Sequence, residues 1–135
     1  MDNTYFLFRL IEVLRLLGSN FDTQRELMPT GVNLTDEIAL LFDDIWQKCD
    51  FLLMNNMINN LQMEKIKKIN RMLDILDEDQ EMWDESALKT KDEWETIRKL
   101  SMDALKAFGK EYATPNINWI QFVWQEGTKE NEKDK

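Results

Sequence analysis

Carboxylates are the only side chains here in the number and spacing that chemistry would need. Six of the nine residues from Asp77 to Glu85 are acidic (Asp77, Glu78, Asp79, Glu81, Asp84 and Glu85), with Met82 and Trp83 set among them. Alternating acids such as Asp77, Asp79 and Glu81 open a calcium-binding EF-hand loop. That loop also requires glycine at its sixth position and a bidentate glutamate at its twelfth. Met82 and Leu88 stand there instead, so no metal site is expected. A second pair, Asp43 and Asp44, could do acid–base work only if its carboxylates converged, and neighbours on a helix point about 100° apart.

The other reactive groups are missing. The 135 residues include no histidine and a single cysteine, Cys49. Ser-His-Asp and Cys-His triads, histidine-containing zinc sites and Glu-x-x-His di-iron sites are therefore impossible. One cysteine cannot alone hold a zinc finger or an iron–sulfur cluster, nor form an intramolecular disulfide. Neither glycine-rich phosphate motif is present. The expectation is a chain that is not an enzyme, takes no cofactor and works by binding another macromolecule.

The acidic segment then reads in two ways. Its carboxylates form a patch that meets lysines and arginines of a partner, with Trp83 as a central anchor, since tryptophan is enriched among interface hot spots. Alternatively it is a solvated connection, and Trp83 packs inward over the fold. Asp77, Asp79, Glu81, Trp83, Asp84 and Glu85 are the candidate partner contacts, with Asp43 and Asp44 as second choices.

The elements that must position these residues are helical. Only four glycines and two prolines occur, too few for a turn-rich β protein. Ten of the 13 residues from Tyr5 to Leu17 are apolar, and Arg9, Glu12 and Arg15, three residues apart, form a narrow stripe expected to face solvent. That pattern predicts a central helix over about 3–17, with Gly18 placed for a left-handed cap. A short helical turn near Thr23–Leu27 is followed by the breakers Pro29 and Gly31. Ile38, Leu41, Phe42, Ile45, Trp46, Cys49, Leu52 and Leu53 repeat at helical steps and predict a second long helix over 36–54, with Cys49 as a small core residue. The asparagines at 55, 56, 59 and 60 predict a turn. A third helix follows over 61–76, with Lys65, Lys67, Lys68 and Arg71 on its solvated side. Thr90 and Glu93 match a capping box that would open a fourth helix, running to about Phe108 with Gly109 as a possible cap. Thr114-Pro115 can start a short fifth helix carrying Trp119, Ile120, Val123 and Trp124, although 116–124 also alternates like a strand. The expected architecture is all-α: a bundle of four main helices plus a short C-terminal helix, forming one domain over 1–124. A polar tail over 125–135 is expected to be disordered.

Charge and hydropathy narrow the partners. Asp and Glu outnumber Lys and Arg by 26 to 17, a net charge of −9 that argues against nucleic acid and favours a basic protein. The acid is uneven: 1–56 holds nine acidic and four basic residues, and 77–103 holds ten and four. Whether the two regions share a face is left open by the sequence. The apolar run in the first helix is too short to span a bilayer, and the first four residues lack a basic n-region. A cytoplasmic chain with no membrane partner is expected, monomeric or weakly dimeric when alone.

In size, acidity, helical pattern and lack of catalytic groups, the chain resembles the small acidic all-helical immunity proteins with which bacteria neutralise a cognate toxin. The resemblance lies in composition and helix pattern, without a shared motif. It implies an inhibitor that binds directly to a basic, nuclease-type toxin. Two other readings compete: an adaptor bundle that self-associates through its first helix or Trp119–Trp124, and an acidic mimic of nucleic acid. An enzyme using carboxylates alone would need acids converging in one pocket.

Overall fold

The computed structural model of the chain describes residues 3–120. They form seven α-helices and no strand: α1 (Asn3–Gly18), α2 (Phe21–Leu27), α3 (Leu34–Trp46), α4 (Cys49–Met54), α5 (Asn60–Leu76), α6 (Glu85–Thr90) and α7 (Asp92–Ala107), with a 3-10 turn at Gln80–Met82. The four long helices, α1, α3, α5 and α7, are the four main helices that the apolar periodicity predicts.

The most apolar helix is central. Leu10, Val13, Leu14, Leu16 and Leu17 of α1 are fully buried. α1 packs against both α3 and α7, and α5 completes the bundle against α7. Ile38, Phe42 and Ile45 from α3, Ile66 and Ile69 from α5, and Trp94, Ile97 and Leu105 from α7 fill the shared core. Each such side chain contributes roughly 1.5–3 kcal/mol by leaving water. α3 is thus held chiefly by α1, and α5 by α7. α4 links α1, α3 and α5, while α6 joins α3 to α7. The guanidinium of Arg98, buried in α7, donates to the carbonyls of Ser19 (3.1 Å) and Leu88 (2.7 Å), fastening α7 to the end of α1 and to α6.

Several local features depart from the sequence reading. The second helix is two helices: the chain tightens at Gln47 and Lys48, where the Lys48 N–H donates to Ile45 O at 2.9 Å. Trp46 and Cys49 keep the apolar step across the break, so periodicity conceals it. Gly18 is not a left-handed cap. A Cβ there would come within 2.9 Å of Met102 Sδ, so its role is the close approach of α1 to α7. Gly109 does adopt φ 68°, and the bonds Gly109 N–H to Lys106 O and Lys110 N–H to Leu105 O complete a Schellman end to α7. The Thr90 capping box does not form. Thr90 is the last residue of α6, its hydroxyl donates to Ser86 O at 2.7 Å, and Lys91 stands at the cap of α7 without a side-chain bond.

The C-terminal segment also differs. Residues 111–120 form no helix but run as a strap along α1, with one turn at 117–120 closed by Ile120 N–H to Ile117 O. The polar stripe of α1 is its track. Buried Glu12 accepts the Asn116 N–H at 2.7 Å and pairs with Arg15 at 2.8 Å; Arg15 donates to Glu111 O; and the Arg9 guanidinium lies 5.2 Å from the Trp119 ring centroid. Glu12 thus fastens the backbone at Asn116 to α1, and the expected helix after Thr114-Pro115 is absent from 114–120. Val123, Trp124 and the expected tail at 125–135 lie outside the described residues.

Candidate functional site

Two helix faces with the same pattern meet across the open side of the bundle. Asp36, Ala39, Leu40 and Asp43 of α3 stand at positions i, i+3, i+4 and i+7, and so share one face. Asn70, Leu73 and Asp74 of α5, with Asp77 at its C-cap, repeat that spacing. The two faces line a groove of about 560 Å³ that Phe42 and Trp83 complete. That volume suits a few side chains or a small ligand. Ala39, Leu40, Phe42, Leu73 and Trp83 make its apolar walls, and Asp36, Asp43, Asp74 and Asp77 its rim. Leu40 stays 56% exposed, although it stands beside core residues of the same helix.

Trp83 is held in place. The 3-10 turn after α5 brings it back over the bundle, where its indole N–H donates to Leu76 O at 2.9 Å. Its ring meets Trp94 edge-on, with centroids 5.5 Å apart and planes at 89°. Trp94 is buried and anchored in turn by its own indole N–H to Met82 O at 2.8 Å. Trp83 is therefore half-buried, packed inward on one side and lining the groove on the other.

The eight candidate residues separate into two groups. Asp43, Asp77 and Trp83 line the groove. Asp79, Asp84 and Glu85 serve the fold. Asp79 Oδ1 accepts the Glu81 N–H at 3.0 Å, capping the 3-10 turn. Asp84 Oδ1 accepts the Ala87 N–H at 2.8 Å, capping α6. Glu85 pairs with Arg25 of α2. Glu81 is exposed and outside the groove. Asp44 turns away from Asp43, as helical geometry requires. Its charge acts on Glu37, whose carboxyl is pushed up first by burial and then by Asp44 and Asp36.

Asp74 and Asn70 escaped the sequence reading, although their signal was available. Asn70, Leu73, Asp74 and Asp77 repeat the spacing of Asp36, Ala39, Leu40 and Asp43. None of the four rim aspartates forms an ion pair or side-chain hydrogen bond with another described residue. Asp74 and Asp77 also occupy the C-terminal end of α5, where the last turn carries no basic residue and the helix dipole disfavours negative charge.

The remaining chemistry is thin. Burial, and secondarily Asp50, pushes the Cys49 thiol up to about 12, so it is not a nucleophile near neutral pH. Among the described residues no group of three or more acidic or cysteine side chains is gathered to hold a metal ion. A larger cleft of about 670 Å³ lies between the end of α1, α7 and Tyr112. Its charges are mixed and partly satisfied: Asp103 takes Lys65 at 2.7 Å, and Arg98 serves backbone carbonyls. The groove, with its single sign of charge, is the stronger site.

Fold and site together describe an all-α bundle that carries an apolar groove rimmed by aspartates. No protein-family model, curated protein or solved structure matches the chain. No helix among the described residues is long and apolar enough to cross a membrane.

Proposed function

We propose that this chain is a non-catalytic binding protein: a cytoplasmic immunity protein that neutralises a cognate basic toxin, of the nuclease type, by direct contact through the α3–α5 groove. One observation carries the reading. Asp36 and Asp43 from one acidic region and Asp74 and Asp77 from near the other converge on a single apolar groove walled by a fixed tryptophan. Like charges gathered on a concave surface focus the field outward, which speeds encounter with a basic partner and disfavours acidic ones. A rigid aromatic wall supplies contact area at low entropic cost. Self-association through the first helix has less support, because most apolar side chains of α1 are buried in the core.

The test is affinity capture from the native host, followed by an activity assay of whatever is captured. The reading predicts a basic protein in one-to-one complex, released by high salt, whose own toxic activity the chain inhibits. Recovery of the chain alone, with a dimeric mass, would contradict it.

A further inference from the structure

The groove's chemistry specifies more than a basic partner. Resting on the functional reading above, we infer that the groove receives arginine side chains, presented by a helical segment of the partner about two turns apart. Four features support this. The walls are apolar and one is contributed by the Trp83 indole, which suits a guanidinium plane and the methylene stem behind it better than a compact, strongly hydrated ammonium. The rim aspartates have no partner among the described residues, so their oxygens are open to two-pronged bonds from a guanidinium. Asp74 and Asp77 crowd the negative end of α5, so a cation there relieves a repulsion already built into the fold. Finally, Asp36 and Asp43 are seven residues apart on α3, which sets a spacing of about 10 Å along the groove. A partner helix with arginines at i and i+7 matches it.

The probe is a capped, alanine-based helical peptide with two arginines seven residues apart, compared with the same peptide carrying two lysines. Binding is followed by ¹H–¹⁵N NMR of the intact chain, with the Trp83 indole N–H as reporter. The arginine peptide should shift the Trp83 indole and the amides of α3 and the end of α5 in a saturable way. The lysine peptide should bind several-fold more weakly. The Asp43→Asn/Asp77→Asn variant, whose substituted residues are both exposed, should keep the amide dispersion of a folded chain and weaken the arginine peptide about tenfold. Equal binding of the two peptides, or shifts scattered over the lysine-bearing side of α5, would overturn the inference. If the native partner is captured through the groove yet shows no arginine preference, this inference fails and the functional reading stands. If arginine binds selectively while capture of the native partner does not depend on the groove, the inference holds and the functional reading fails.

Discussion

Asp74 and Asp77 are unfavourably placed for stability, at the negative end of a helix with no basic residue in its last turn. Glu12 shows the opposite logic. It is buried within an apolar helix and is satisfied by Arg15 and by the Asn116 N–H. The spacing of Arg9, Glu12 and Arg15 suggested a solvated stripe. The spacing marks a polar face correctly but cannot say whether water or the chain's own C-terminal strap covers it. Removing Glu12 leaves a backbone N–H and a guanidinium without their shared acceptor. Glu12→Ala should therefore cost about 2 kcal/mol in urea unfolding and speed proteolysis within 111–120. Glu111→Ala is the control, since Arg15 uses only the backbone oxygen of Glu111, and it should change neither quantity. Equal effects of the two substitutions would show that the carboxylate does not hold the strap.

At the scale of elements, legibility followed local chemistry. The paired asparagines signalled a turn, and the structure shows how it is made. Asn56 takes φ 59° at the end of α4, where Met57 N–H bonds Leu52 O and Asn56 N–H bonds Leu53 O, and Asn59 with Gln62 forms a capping box that starts α5. The break between α3 and α4 and the course of 111–120 were not legible, because both are decided by what packs against them. Thr90 illustrates the competition: it stays in α6 as its last residue, with its hydroxyl bonded back to Ser86, and the cap position of α7 falls to Lys91. The left-handed position gives a direct test. Asn56→Ala should lower the unfolding free energy by about 1 kcal/mol, because a Cβ without a polar side chain is disfavoured there, and Asn56→Gly should be neutral or stabilising. If alanine and glycine shift the urea midpoint equally, the left-handed turn is not what positions α5.

For the whole molecule, the decisive feature is an arrangement. Composition announced an acidic helical chain, and the sequence named Asp43, Asp77 and Trp83 as candidates. It could not place them together, because their meeting depends on α1 and α7 holding α3 and α5 on either side of an open seam. Nor could it separate the carboxylates that cap turns and helices, such as Asp79 and Asp84, from those left facing outward. That division requires the backbone N–H groups to be located first. On the proposed function, the outward-facing set gathered in the groove binds the partner. The most direct measurement is affinity capture from the native host with two baits, the native chain and Asp43→Lys/Asp77→Lys, after circular dichroism has shown that both are equally helical. The native bait should retain a basic protein at low salt, and the reversed bait should lose it. Equal recovery on both baits would contradict the account and move the binding surface elsewhere on the bundle.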